Sequence, residues 1–410
     1  MSTPPTLIIL SQVYVPDPAA VGQYIADAAE ELVARGYRVV VLTATRGYDD
    51  PSVRYPRRET IRGVIVRRLP LCSFGKRSVP IRMLGGLSFV LQAAIRVLTL
   101  PHVDGILVST SPPMASLAAL LVGWARRAPI TYWVMDLNPD QAIALGVIPA
   151  SSLAARLFDR LNRRVLRRAA SVVVLDRFMA ERVLAKQDVR QKLAVIPPWP
   201  MENRLAPIGH EENAWRTAHG LDGTRVVMYS GNHGPSNPLE TLLEAVELLR
   251  EDTRLTFVFV GGGVGKRQID VRAGDNLRSL PYQPLDRVRF SLSAADVHVV
   301  TMGDEVVGIV HPSKVYNVMA LGRPVLFIGP AESHIGELLS RAPFGWRVAQ
   351  GDTAAAVAAL REIAAASPSS LAERGMIGRR LIASALSREA LCGGFCDVVA
   401  LGTPRPDSHA

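Results

Sequence analysis

Two stretches of the chain repeat one pattern, and a run of prolines separates them. From residue 6 to residue 175, short unbroken apolar runs alternate with stretches of helical spacing. Residues 37–43, YRVVVLT, form a β-branched run of the kind buried on both faces of a parallel sheet. Residues 6–10, 61–69, 105–109, 129–134 and 171–175 predict further strands, with helices over 21–35 and the arginine-rich 153–168. Then comes VIPPWPMENR (195–204), whose three prolines continue neither helix nor sheet. Beyond it the alternation restarts. Strands are predicted over 225–229, 255–260, 296–300 and 324–328, and helices over 239–250, 313–321, 353–366 and 371–387. A βαβα order needs crossovers that lay helices on both faces of a parallel sheet. The pattern therefore predicts two Rossmann-like, doubly wound α/β domains, residues 1–196 and 205–385, with a proline-rich hinge at 197–204. Residues 386–410 read as a C-terminal helix returning to the first domain, followed by a loose tail.

A length of 410 residues suits two such cores, and 48 % hydrophobic with 20 % charged residues describes a globular chain. The net charge of +10 favours an anionic partner. Basic residues are not interleaved with aromatics, which argues against nucleic acid. Three cysteines (Cys72, Cys392, Cys396) make no disulfide framework, and this fits a reducing cytoplasm. The one-turn spacing of the last two predicts packing, and with eight scattered histidines no metal site is expected. MSTPPTLIILSQVYVP lacks the basic and long apolar regions of a signal peptide. Residues 83–100 are interrupted by Gln92 and Arg96, so a cytoplasmic rather than a membrane-spanning protein is expected. Lys76, Arg77 and Arg82 precede an amphipathic apolar stretch, a pattern that suits peripheral contact with the anionic inner face of a plasma membrane. It equally suits packing of that helix on its own domain.

Open α/β sheets bind ligands at the carboxyl ends of their strands. SGNHGPSNPLETLLEA (230–245) reads as a strand end, a glycine turn and a helix start, an arrangement that holds phosphate on free N–H groups. Gly231, Asn232, His233 and Asn237 occupy it, yet it contains no lysine or arginine. VFVGGGVGKRQI (258–269) lacks the spacing of a dinucleotide fingerprint; Gly262 and Gly263 form its turn, and Lys266 and Arg267 meet either a phosphate or solvent. In EVVGIVHPSKVYNVMALGRPVLFIG (305–329), Pro312 fits the first turn of a helix. The N–H groups of Ser313 and Lys314 would then point out of the helix mouth beside the Lys314 ammonium, a diphosphate site. One turn on, Asn317 faces a sugar hydroxyl. A capped helix with a surface lysine is the plainer alternative. In the first half, YVPDPAAVGQYIADAAEEL brings Gly22 close to an acceptor or a phosphate, and STSPPMAS ends a strand at Ser109. YWVMDLNPDQAIALG places Asp136 and Asp140 after a strand, where an acid orients a hydroxyl, accepts its proton, or caps a helix.

Together these residues resemble the retaining family 4 glycosyltransferases of GT-B fold, in particular those that assemble bacterial surface polysaccharides of the O-antigen or colanic-acid type. The resemblance is carried by ARGYRVVVLTA, DLNPDQAIALG, VIPPW, YSGNHG and HPSKVYNVMALGRPV, in that order. It implies two domains facing a central cleft. It also implies transfer of a sugar from a nucleotide diphosphate sugar, such as a UDP-sugar, to a hydroxyl with retention of configuration. The acceptor would be a glycan, lipid-linked or small, and no metal or other cofactor would be used. Gly231 to Gly234 would face the donor phosphates, with Gly262, Gly263, Tyr282 and Gln283 flanking the nucleoside. His311, Pro312, Ser313 and Lys314 would hold the diphosphate, Gly22 would line the cleft, and Asp136 would lie near the reacting centre.

Three positions depart from the family. Asn232 and Asn237 stand where many members carry arginine and lysine, and Asn317 stands where many carry glutamate. The upstream acid matches Glu305 only with a four-residue insertion. Lys314, Lys266 or Arg267 would have to supply the missing charge. Two other readings stay open: a nucleotide-sugar 2-epimerase, which needs cleft carboxylates and histidines, and a catalytically degenerate binding subunit.

Overall fold

The structure is a computed structural model that describes residues 4–47, 50–72, 74, 79–201, 206–274 and 276–401. Lys76, Arg77 and residues 202–204 of the hinge lie outside the described residues, and so does the Arg82 side chain. The chain divides into two compact units: one runs to Pro197 and takes in the chain again from Glu389, and the other is Pro198–Arg388.

The first unit begins β1 (Thr6–Leu10), α1 (Ala20–Ala34), β2 (Arg38–Ala44), β3 (Arg58–Ile61), β4 (Val64–Leu69) and α2 (Val79–Leu98). It continues with β5 (Gly105–Ser109), α3 (Ala115–Arg126), β6 (Ile130–Trp133), α4 (Asp140–Ala144) and α5 (Leu153–Arg168). Then follow β7 (Ser171–Val174), α6 (Arg177–Lys186) and β8 (Leu193–Val195). The sheet order is β3-β4-β2-β1-β5-β6-β7-β8. The central strands β1, β5 and β6 are buried along their whole length, as continuous apolar runs require. Helix α5 starts where its composition says it should, because the Ser152 hydroxyl accepts the Ala155 N–H and caps the first turn.

One expected strand is two. The run 61–69 contains a reversal at Arg62 and Gly63, both at positive φ (46° and 82°), and β3 pairs antiparallel with β4. Positive φ at two successive residues is the twist of a tight hairpin, and Gly63 supplies one of the two positions without strain. Every other pairing in this sheet is parallel.

The second unit holds α7 (Ala214–Ala218), β9 (Arg225–Asn232), α8 (Glu240–Leu248), β10 (Leu255–Gly262), α9 (Lys266–Asp270) and β11 (Leu277–Leu280). Next come α10 (Leu285–Ser293), β12 (Val297–Thr301), α11 (Lys314–Ala320), β13 (Val325–Ile328) and α12 (His334–Arg341). β14 (Gly345–Val348), α13 (Thr353–Ala365), α14 (Pro368–Ala385) and α15 (Arg388–Ala400) complete the chain. The sheet is all parallel in the order β11-β10-β9-β12-β13-β14. Its core packs Phe257, Phe259 and Leu326 against α8 and α13 through Leu242, Val246 and Leu360. α15 belongs to the first unit, where Phe395 lies 4.2 Å from the Trp133 ring and Asp397 pairs with Arg35 at 2.7 Å. No helix among the described residues is long and apolar enough to cross a membrane.

Candidate active site

In the second unit, three loops meet at the carboxyl edge of the sheet. β9 and β10 run in register to their ends, with Gly261 opposite Gly231 and Gly262 opposite Asn232. A Cβ on Gly261 would lie 2.0 Å from the Gly231 carbonyl oxygen, and φ there is +140°, so no other residue fits. The two turns are then laced together: the His233 N–H donates to Gly262 O (2.8 Å) and the Gly265 N–H to His233 O (2.9 Å). The loop after β12 joins them through Gly303, whose N–H donates to Ser236 O at 3.2 Å.

Into this edge α11 sends Lys314. Its Nζ lies 3.9 Å from the centroid of the Tyr229 ring and 3.2 Å from the point a Cβ on Gly231 would occupy. The ammonium is buried and has no hydrogen-bond partner. Burial pushes it down to about 7. A buried cation without a counter-ion is costly, and an anion arriving on the Gly231 turn removes that cost. The first turn, which lacks its own cation, has one beside it from a helix 83 positions along the chain. His233 also lies buried there with both ring nitrogens unpartnered, 5.4 Å from the Tyr229 ring. Burial first, then Lys266 and Lys314, hold it down to about 4, so it is a neutral imidazole at pH 7. A pocket of about 670 Å³ opens beside it, with Asn237, Arg267 and Arg272 in its walls.

In the first unit, the ends of β5 and β6 are tied through one hydroxyl. Thr110 Oγ1 accepts the N–H groups of Met135 (3.2 Å) and Asp136 (3.1 Å). Asp136 is pushed up to about 6 by burial alone, which suits a group that takes a proton near neutral pH. Ser109 is buried, and its hydroxyl accepts the Ser111 N–H at 3.3 Å. An apolar pocket of about 140 Å³ follows Asp136 along the chain, walled by Met83, Met114, Ile148 and Phe158.

Two family models match the chain. Residues 19–199 match the glycosyl transferase 4-like domain, and residues 211–374 match glycosyl transferases group 1. The two halves of the chain are glycosyltransferase domains. The probable glycosyltransferase WbjE of Pseudomonas aeruginosa is 27 % identical over 65 % of this chain and 68 % of its own. The putative colanic acid biosynthesis glycosyl transferase WcaI of Escherichia coli K12 is 26 % identical over 80 % and 84 %. Among solved structures, sucrose-phosphate synthase from Thermosynechococcus elongatus superposes with a TM-score of 0.74 at 18 % identity, covering 96 % of this chain and 98 % of that one. HepE of Anabaena, in complex with UDP and glucose, gives 0.72 at 14 %, covering 96 % and 99 %. The two parallel-sheet domains are thus those of the GT-B glycosyltransferases.

Within the group 1 domain several expected donor contacts are committed elsewhere. Lys266 Nζ donates to Ser279 Oγ (2.5 Å) and Leu280 O (2.8 Å) and lies 3.7 Å from Asp270, so it pins α9 to β11. Gln283 is held at both ends, its Oε1 accepting the Trp215 indole N–H and its Nε2 donating to Pro281 O, each at 3.0 Å. Asn317 Oδ1 accepts the Met201 N–H at 3.0 Å. The Ser313 N–H does not point out of the helix mouth; it turns back to His311 O at 2.9 Å, because 311–313 form a tight turn before the helix. Pro312 therefore precedes α11 rather than opening it. Tyr282 is half exposed, its ring edge 3.1 Å from a Cβ placed on Gly262, with Gly263 next at φ +123°. Glu305 is exposed on a 3-10 turn (Asp304–Val306), its carboxylate folded back over Gly303.

In the 4-like domain, Asp140 is ion-paired with Lys186 at 2.9 Å, and Lys186 also holds Asp159 at 2.6 Å, so this acid braces α4 against α5 and α6. It does not cap α4, whose N-cap position is Pro139. Gly22 is a packing requirement: a Cβ there would come within 3.2 Å of the Tyr14 backbone, and its absence lets the loop lie on α1.

Two groups went unread in the sequence. Tyr229 supplies the face under Lys314, and its hydroxyl donates to Asn232 O at 2.7 Å. The Tyr316 hydroxyl lies between His311 Nε2 (2.8 Å) and His334 Nε2 (2.7 Å). The i, i+5 spacing of His311 and Tyr316 was visible, but His334 comes from another helix. No cluster of three or more metal-ligating side chains occurs among the described residues.

Proposed function

We propose that the chain transfers a sugar from a nucleoside diphosphate sugar to a hydroxyl acceptor with retention of configuration. The observation that carries this reading is the buried, unpartnered Lys314 ammonium beside the Gly231 turn. As the glycosidic bond breaks, charge grows on the leaving diphosphate, and the Lys314 ammonium stabilises it more than the ground state. The positive field comes from the chain itself. A UDP-sugar donor is supported by HepE, which holds UDP and glucose, and by UDP-2-fluoro glucose bound to the E. coli trehalose-6-phosphate protein. Asp136 takes the acceptor's proton or orders its hydroxyl. The printed role of WcaI in colanic acid biosynthesis supports a surface-polysaccharide acceptor.

Incubation with a panel of nucleotide sugars, followed by NMR of the anomeric coupling, tests the reading. Transfer with the donor's configuration kept is expected. An epimerised donor, an inverted linkage or no consumption would overturn it.

The acceptor in this reading carries an apolar chain, and the protein works at an anionic membrane surface. Support comes from α2, where Leu84, Leu87, Leu91, Ile95 and Leu98 are all exposed along one helical face. Leu91 is 62 % exposed, and on the neighbouring α3 Trp124 is 75 % exposed. Such a stripe on a basic protein suits the headgroup–acyl boundary. Flotation with phosphatidylglycerol vesicles should recover the protein, and Leu87→Glu with Leu91→Glu should leave it in the soluble fraction. Flotation unchanged by these substitutions would remove the face from the reading.

A further inference from the structure

The β3–β4 hairpin carries a charge arrangement that the transfer reaction does not use. Arg58 and Arg67 are direct cross-strand partners. Like charges opposite one another destabilise a hairpin. Arg96 of α2 and Arg57 complete a pocket of about 190 Å³ on this hairpin, with Arg68 in its wall. Every charged residue in that wall is an arginine. Among the described residues, none of Arg57, Arg58, Arg67 and Arg96 has a carboxylate within ion-pair distance.

The same hairpin also shows an ordinary solution. Arg68 is buried, bonds to Glu59, and donates to Pro56 O (3.0 Å) and Val15 O (2.8 Å). Its charge is committed to the fold, whereas the other four arginines line the pocket without such a partner. Arg67 is held below the usual guanidinium range, by burial first and then by Arg96, Arg58 and Arg38. At about 190 Å³ the pocket has the volume of roughly six waters, below the roughly 300–1,000 Å³ that encloses a drug-sized ligand. It suits a small anion or a headgroup. Planar guanidinium forks match anionic oxygens two at a time, and a phosphate monoester offers clustered arginines three acceptor oxygens and nearly two charges where a carboxylate offers two oxygens and one charge.

We propose that Arg57, Arg58, Arg67 and Arg96 form a phosphate-binding subsite on the first unit, separate from the donor turn, that takes a phosphate monoester or diphosphate group. The group is carried either by a lipid headgroup or by a soluble phosphate. Two arms on the full chain separate these sources. In solution, inorganic pyrophosphate is titrated calorimetrically into Lys314→Met protein, which removes the donor-turn cation, with and without Arg58→Gln and Arg67→Gln. At a surface, the otherwise unaltered chain and the same arginine pair are sedimented with phosphatidylcholine vesicles holding phosphatidic acid, or oleate at matched surface charge.

The arginine substitutions should weaken binding about tenfold or more in at least one arm, and the preference for phosphatidic acid over oleate should vanish with them. Loss in the vesicle arm alone assigns the headgroup, loss in the solution arm alone assigns a soluble phosphate, and loss in both means that the pocket takes either. No binding in either arm, or binding unchanged by the substitutions in both, overturns the subsite. A melting temperature gives a further check. Relief of the cross-strand repulsion should raise it by about 1–3 °C. A fall would mean that the arginines hold the hairpin together, and would also overturn the proposal.

Discussion

Replacing Lys314 by methionine should lower kcat/KM for the nucleotide sugar by about 10²–10³-fold and, in the absence of ligand, make the protein more stable. Both effects follow from one buried charge. Lys314 sits near 7 in the folded chain against 10.5 for free lysine, so between those values the unfolded chain holds a proton that the folded one lacks. Stability from this group therefore rises with pH from about 7 to 10.5, and the penalty is fully present below 7. Methionine removes a penalty on the order of 2–4 kcal/mol and keeps the packing on Tyr229. A bound diphosphate reverses the sign, because an anion beside the ammonium raises its affinity for a proton. At pH 8, donor binding to the wild type should thus take up close to one proton, read calorimetrically in buffers of different ionisation enthalpy. Lys314→Met should take up none. A variant that melts below the wild type and still gains the full ligand-induced shift in melting temperature would remove Lys314 from the donor site.

Asp136→Asn should reduce kcat by about 10²–10³-fold while leaving the fold intact. The carboxyl is held up to about 6, above the 3.8 of a free aspartate, because burial disfavours its charge. Between those values the folded chain binds the proton more tightly, so this group's contribution to stability falls as pH rises through that window, and the uncharged amide is tolerated at pH 7. A loss of rate is then not a loss of structure. The wild-type kcat/KM should fall as pH drops through about 6, the limb expected when a base becomes protonated, and the Asp136→Asn enzyme should lack that limb. An unchanged acid limb in that variant would move the base elsewhere.

Much of the frame was legible from residues 6–400 because it depends on local repeats. Unbroken apolar runs set the strands and period-3.6 spacing the helices; the first unit's β5 and α5 begin and end where the pattern places them. The strands that escaped, β8, β11 and β14, are three or four residues long and only partly buried, so they lack the apolar runs by which buried strands announce themselves. The Arg62-Gly63 reversal escaped because apolar Ile61 and Val64 flank it directly and arginine is not one of the residues that ordinarily mark a two-residue turn.

The candidate site divides along the same line. That glycine turns follow β9 and β10, and that a helix begins close to Lys314, can be read along the chain, because a turn or a helix start constrains its own few residues. Which polar groups remain for a ligand cannot be read that way. Lys266, Asn317, Gln283 and Asp140 have the right chemistry at plausible positions, yet each is taken by a partner between 13 and 116 positions away. Lys314 has the same chemistry and is left without one. Local sequence determined two α/β domains and where their ligand-facing turns lie. Only the tertiary structure, by pairing groups remote in sequence, decided that the charge missing from the first turn is delivered by the third.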